Sequence, residues 1–182
     1  MNIIFLRHGK TIEWSQGIIL GSLPWTLSRE WIQDIKRIWN TLLKDYTFSS
    51  ILSSEQKRAY DTAKIISSLF HVPIIQNALL SERRAGCAEG KKENEIDWET
   101  YERKPFQYRK HRGWESYIDV KKRARQFIHS LSLQKDEDIL IISHSAFIAM
   151  CISFLDSLPL EEACQKMQQG NGVYIYTPKV SL

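Results

Sequence analysis

The sequence predicts an α/β fold, a three-layer α/β/α sandwich on a mostly parallel central sheet. Three observations point there. Short apolar runs of strand length alternate along the chain with longer segments of helical periodicity. Two of those runs end beside a histidine in the way that strands of open α/β sheets deliver functional residues. And 182 residues with 43% hydrophobic and 25% charged content are enough for one globular unit with a real core.

The elements follow in order. Residues 2–6 form a short apolar run, a buried strand. In residues 28–44, Trp31, Ile32, Ile35, Ile38, Trp39, Leu42 and Leu43 recur at three- and four-residue steps behind Ser28, which predicts a helix with a serine cap. Residues 50–52 read as a second strand running into Ser53-Ser54-Glu55-Gln56, a capping box for a helix with Ala59, Ala63, Ile66 and Phe70 on one face. Residues 72–76 are a third strand. From 82 to 113 charges and glycines dominate and clean periodicity disappears, which predicts an insertion or small cap within a single domain spanning 1–182. A helix restarts behind Ser116 and Asp119, with Val120, Ala124, Phe127 and Ile128 as its apolar face. Residues 138–142 are the clearest strand, 146–155 a helix, and 173–176 a last strand.

Composition excludes several classes. The most apolar stretch, 146–155, is far short of the roughly 20 residues a membrane-spanning helix needs, so no membrane partner is expected. Arg7 and His8 interrupt the run Ile3-Ile4-Phe5-Leu6 at once, so a secretory signal is not expected and the location is read as cytoplasmic. Cys87, Cys151 and Cys164 are odd in number without metal-ligand spacing, and no metal or other cofactor is expected. A net charge of +4 suits an anionic substrate without requiring nucleic acid. The basic stretch Arg103, Lys104, Arg109, Lys110 and Arg112, with Phe106 and Tyr108 between, reads as a solvated loop face partly offset by Glu99 and Glu102.

Chemistry is expected at two strand ends. Arg7 precedes His8, and Gly9 follows with no Cβ to block a ligand; Ser143 and Ser145 flank His144 with hydroxyls. His71, His111 and His129 lack such company. A guanidinium beside a histidine suits a phosphoryl group, because it holds two oxygens at once. Arg58 adds a second guanidinium in the first turn of the helix after Ser53.

These residues carry a resemblance to a known family. Arg7-His8-Gly9-Lys10-Thr11 resembles the signature of the histidine phosphatase superfamily, the phosphoglycerate mutase-like family. Residues Ser53 to Ala59, continuing to Thr62-Ala63, resemble its phosphate-binding helix entry. Leu80-Ser81-Glu82 with Gly86 and Gly90 resembles the segment that supplies its carboxylate. Gly113-Trp114-Glu115-Ser116 and Ile141-Ile142-Ser143-His144 resemble its last two segments. All five are collinear between residues 2 and 150.

The resemblance implies a phosphoglycerate mutase-like fold and a metal-independent, histidine acid phosphatase-type phosphomonoesterase. His8 would attack phosphorus to give a phosphohistidine, Arg7, Arg58 and His144 would stabilise the transferring group, and Glu82 would serve as general acid and base. Gly9, Ser15 and Ser145 would complete the phosphate contacts. The partners are then a small phosphorylated substrate and inorganic phosphate as product. Ser15 stands where the family has an asparagine, Trp31 replaces a common glycine, and Ser145 replaces another. Arg83 and Arg84, beside Glu82, are expected at the mouth of the site, where they would favour a substrate with additional negative charge. A phosphoglycerate mutase-type phosphotransferase and a non-catalytic phosphate-recognising module are the alternatives; the short chain disfavours the first and the intact set of site residues the second.

Overall fold

The computed structural model describes residues 2–131, 137–169 and 172–178. A five-stranded sheet runs in the order β3-β2-β4-β1-β5, built from β1 (Ile3–Arg7), β2 (Ile51–Ser53), β3 (Ile74–Gln76), β4 (Ile139–Ser143) and β5 (Val173–Tyr176). Three of the four pairings are parallel, and in the fourth β5 lies antiparallel to β1. The register sets Arg7 opposite Ser143, so the ends of β1 and β4 are level and the residues that follow them emerge side by side.

The two faces of the sheet separate with a period of two. Ile3 and Phe5 of β1 with Ile141 of β4 join a core shared with α5 (Tyr117–Ser130), α6 (Ser145–Leu155) and α7 (Leu160–Gln169). Ile4 and Leu6 with Leu140 and Ile142 join the opposite core, packed by α2 (Arg29–Ile38) and α3 (Lys57–Phe70). Both strands are therefore covered on both sides, which is the three-layer arrangement. Among the described residues no helix is long and apolar enough to cross a membrane.

Several boundaries differ from the sequence reading, each for a local reason. The helix read through 28–44 stops at Ile38 and continues as a wider π-turn, Trp39–Leu43. There the Thr41 hydroxyl donates to the Arg37 carbonyl at 2.8 Å, an alternative to the regular backbone ladder. The side chains of Ile32 and Trp39 lie outside the described residues. Strand β3 begins two residues late because His71 turns the chain in a left-handed conformation and the Val72 carbonyl accepts from Ser67 Oγ. Strand β4 is fixed at its start by the Asp138 carboxylate, which accepts from both the backbone and the side-chain amide of Asn2.

The box read at Ser53 and Gln56 does not form. Ser53 ends β2 and donates to the Ser54 carbonyl, while Gln56 caps α3 without a side-chain bond. The box at Ser116 does form: its hydroxyl accepts from Asp119 N, and the Asp119 carboxylate accepts from Ser116 N. Three helices had no clear sequence signal, the single turn α1 (Ile12–Ser15), the short α4 (Trp98–Glu102) and α7, whose buried positions Ala163 and Met167 are isolated in a polar run.

The stretch 82–113 is a chain of short turns around α4 (Trp98–Glu102). It has a small core of its own, Ala85, Ala88, Tyr101 and Trp114, with Ile19 and Ile96 packed against it. Gly86 is where the two ends of this segment meet: it has φ +47°, and an added Cβ would lie 2.5 Å from the Gly113 carbonyl carbon.

Candidate active site

Level strand ends bring His8 and His144 together with ring centroids 5.0 Å apart, both buried. The His8 amide donates to the Ser143 carbonyl, continuing the β1–β4 ladder one step past the strands. His8 Nδ1 is 2.7 Å from the Gly9 carbonyl, a pure acceptor, so Nδ1 carries the proton and Nε2 keeps its lone pair. Arg58 Nε donates to that lone pair at 3.0 Å.

Arg58 is 1% exposed and its guanidinium is held on its other edge by the Gly21 carbonyl at 2.8 Å. Burial lowers it to about 10, against the pull of Glu82 and helped by Arg7, so it remains a cation at neutral pH. Arg7 is lowered by burial and raised by Glu82; its guanidinium stands 5.7 Å from the Trp14 ring, and among the described residues it forms no ion pair. Burial, then Arg58 and Arg7, push His8 well below the ordinary imidazole value. Burial, then Arg58 and His8, do the same to His144. Both rings are neutral at pH 7.

His144 Nε2 is 2.9 Å from Ser54 Oγ, which also accepts the Gln56 amide at 3.2 Å. The His144 Nδ1 is buried without a partner. If the hydroxyl proton of Ser54 points to Nε2, Nδ1 carries the ring's proton. Ser54 went unnoticed in the sequence because the cap pattern assigned the local hydroxyl to its neighbour Ser53.

Glu82 reaches the site from the start of the 82–113 segment. Its carboxylate accepts from Arg83 N at 2.8 Å and from Ala146 N at 3.2 Å, the latter in the first turn of α6. Arg123 holds the backbone that presents it, donating to the Leu79 and Ser81 carbonyls at 2.7 Å each and pairing with Glu115 at 3.0 Å.

His8, Arg7, Arg58, Glu82 and Ser145 line one cavity of about 280 Å³, whose walls include Trp14, Trp98, Trp114 and Tyr117. A larger one of about 650 Å³ shares Arg7, His8, Trp14, Ser145 and Gln168 with it and extends to Lys10, Trp31 and Arg37. The convergence of charges and titratable groups favours the smaller as the reaction chamber. His144 is fully buried and lines neither. Cys164 lines the smaller cavity, and burial pushes its thiol up to about 12, so it is no nucleophile at neutral pH.

Three expectations are corrected. Ser15 is exposed, its hydroxyl donates to the Ile12 carbonyl, and Trp14 takes the lining position instead. Gly9 lacks a Cβ for packing: an added one would sit 2.0 Å from Cδ1 of Trp31, so an indole fills the space assigned to a ligand. Arg84 is exposed and outside the cavity, whereas Arg83 lines it. The aromatic walls and Ser54 had no periodic signal; only their places in space reveal them.

One small chamber is thus lined by the neutral His8, the guanidinium groups of Arg7 and Arg58 and the Glu82 carboxylate, with His144 buried beside His8 and outside the lining. The chain matches the histidine phosphatase superfamily (branch 1) over residues 3–178 and belongs to that family. It is 28% identical over 167 residues to the adenosylcobalamin/alpha-ribazole phosphatase of Escherichia coli, covering 88% of this chain and 82% of that protein. The solved alpha-ribazole phosphatase of Shigella flexneri superposes with a TM-score of 0.78 at 26% identity, over 91% of this chain and 84% of that one. A mycobacterial glucosyl-3-phosphoglycerate phosphatase shares the fold with a TM-score of 0.81 at 24% identity, over 96% of this chain and 90% of that one. These relatives are phosphatases, and phosphatase chemistry is the activity supported at the level of the superfamily.

Proposed function

We propose that the chain hydrolyses small phosphate monoesters without a metal, through a phosphohistidine on His8. The observation that supports this most is the fixed tautomer of His8: with Nδ1–H tied to the Gly9 carbonyl, the ring's one lone pair is on Nε2, where Arg58 Nε donates to it. In the first step Nε2 bonds to phosphorus and the ester P–O bond breaks. The departing oxygen takes a proton from Glu82, while Arg58 turns from Nε2 to a phosphoryl oxygen and Arg7 neutralises another. In the second, water attacks phosphorus, its proton passes to the Glu82 carboxylate, and the P–N bond breaks. Inorganic phosphate leaves and His8 returns neutral.

The test is phosphate release from p-nitrophenyl phosphate in the presence of chelator, with inhibition by vanadate. His8→Ala should lose turnover and the acid-labile phosphoenzyme together, by about 10⁴–10⁶-fold in rate. Glu82→Gln should slow alkyl esters more than aryl ones, because only a poor leaving group needs the proton. Turnover that survives His8→Ala, or interconversion of phosphoglycerates in place of phosphate release, refutes the reading.

A further inference from the structure

Arg58 is anchored from behind. Each of its three nitrogens has a partner: Nε donates to His8, Nη2 to the Gly21 carbonyl at 2.8 Å and Nη1 to the Leu23 carbonyl at 3.4 Å. The first of these bonds breaks when Nε turns to a phosphoryl oxygen. The two carbonyls stay, so they are the hinge on which the guanidinium swings. Their position decides how well one cation can serve first the His8 lone pair and then the transferring group.

The hinge is held by the 82–113 segment and not by the sheet. Residues 17–23 lie along residues 89–93, with backbone amides of Gly90, Ile19 and Glu93 donating to the carbonyls of Ile19, Lys91 and Gly17 at 2.9 Å each. Nearest Arg58 one side chain takes over from that ladder. The Glu89 carboxylate accepts from the Ser22 hydroxyl at 2.6 Å and from the Ala85 amide at 3.0 Å, one bond to each oxygen. Gly21 is buried at φ +51°, and an added Cβ would fall on the Glu89 carboxyl group, so the turn that aims the Gly21 carbonyl at Arg58 is moulded against this side chain. Glu89 lines neither cavity and, among the described residues, forms no ion pair. Burial lowers Arg58, and Glu89 is the second carboxylate, after Glu82, whose charge opposes that.

We infer that Glu89 is a positioning residue for the reaction: by bracing Gly21 and Ser22 it sets the hinge of Arg58, and through Arg58 the donor on the His8 nucleophile. It touches no substrate. The inference rests on the phosphomonoesterase reading, in which Arg58 serves His8 and the phosphoryl oxygens in turn. Glu95, on the same segment, supplies the contrast. Its carboxylate is exposed and accepts from the Lys92 amide at 2.7 Å, within a single turn of its own.

The experiment is a double-mutant cycle on the turnover of p-nitrophenyl phosphate. Glu89→Ala should lower kcat by about 10–100-fold, the scale of a small displacement of a group at the reacting centre, with KM within about threefold. Glu89→Gln keeps an oxygen for the Ala85 amide and a polar partner for Ser22, and should return part of the rate. Glu95→Gln should stay within about twofold of the native chain. In the Arg58→Met chain there is no guanidinium left to set, so adding Glu89→Ala should cost less than about twofold more. A strut for the segment as a whole would cost the same in both backgrounds. A signature without chemistry is the Arg58 Nε–H, buried and bonded to His8: its proton–nitrogen NMR signal should exchange slowly with water in the native chain and in Glu95→Gln, and be lost in Glu89→Ala.

Equal losses in the two backgrounds, or a Glu89→Ala chain as fast as the native one, overturn the inference and leave the phosphatase reading standing. If the native chain hydrolyses no ester, the phosphatase reading fails and the Nε–H signal alone decides. Its survival in Glu89→Ala removes the brace; its loss there and not in Glu95→Gln keeps it. Should Glu89→Ala not fold, Ser22→Ala cuts the same strut from its other end and should lower kcat by about 3–10-fold, the worth of one hydrogen bond, again only where Arg58 is present.

Discussion

The chamber has two walls made on different principles. The phosphoryl wall grows from the ends of β1 and β4, where backbone ladders set His8 and His144 side by side and every polar atom of His8 and Arg58 is tied to a neighbour. The opposite wall comes from residues 82–117, where a small aromatic core, Arg83 stacked on Tyr117 and short turns take the place of regular structure. A sheet edge fixes atoms to within a rotamer. Turns and stacked rings shape a surface. Rate should therefore depend on the first wall, with Glu89 as its brace, and selectivity on the lining of the second, and substitutions in each should separate kcat from KM.

The largest effect expected on this division is at Arg58. Arg58→Met keeps most of the volume but removes the donor to His8 Nε2 and the cation beside the transferring group. Loss of one preorganised donor of this kind costs about 10²–10³ in kcat, with a smaller change in KM. A variant whose KM rises while kcat holds would place Arg58 in ground-state binding and blur the difference between the walls.

Next is the pH dependence of stability, which isolates the phosphoryl wall. In the unfolded chain His8 and His144 take up a proton as pH falls through about 6.5. In the folded protein burial, with Arg58 and Arg7 beside them, holds both neutral well below that value. The unfolded state then binds more protons, so stability is full above about pH 6.5 and declines as pH falls toward the folded values. The slope is about 1.4 kcal/mol per pH unit for each ring that remains neutral, up to about 2.7 kcal/mol for both. Denaturant midpoints at pH 7.5, 6.5 and 5.5 measure it. His8→Gln with His144→Gln should flatten the decline between pH 6.5 and 5.5, and phosphate should not be needed for that flattening.

Packing gives the third test. Gly9→Ala drives a methyl into the Trp31 indole, at 2.0–2.4 Å from three ring atoms. Overpacking of that sort costs about 1–3 kcal/mol. Trp31→Ala alone should also destabilise, but the two changes together should cost less than their sum, which a double-mutant cycle by chemical denaturation resolves. Additive losses would mean that Gly9 is required by something other than the indole.

The same division explains what could be read from the amino-acid order. The sheet and the phosphoryl wall were legible because Ile3 to Leu6 and Ile139 to Ser143 alternate between two cores, and because His8 and His144 follow directly on those strands. Glu82 was legible through its spacing from Gly86, which is held at φ +47° against the Gly113 backbone. Ser15 misled because a hydroxyl close in sequence to a strand end is satisfied by its own turn, at the Ile12 carbonyl. The aromatic wall stayed hidden since Tyr101, Trp114 and Tyr117 meet across loops with no period of 2 or 3.6 to announce them. Arg83 and Arg84 are adjacent and chemically alike; burial alone tells them apart.

The smallest effect belongs to the outer face of the second wall. Arg103 pairs with Glu99 on α4, where both side chains are more than two-thirds exposed, and Lys110 stands 3.8 Å from Asp119. Arg109 Nε donates to the Lys104 carbonyl at 3.1 Å, and its guanidinium lies 5.5 Å from the Phe106 ring. The positive charge that might have suggested a polyanion is thus in part spent on local contacts, in water and under salt screening. Arg103→Ala should change stability by no more than about 0.5 kcal/mol and leave kcat/KM for small esters within about twofold. A steep loss of turnover, or tight binding to nucleic acid that falls sharply with salt, would give this face a role in recognition and extend the selective wall beyond the chamber.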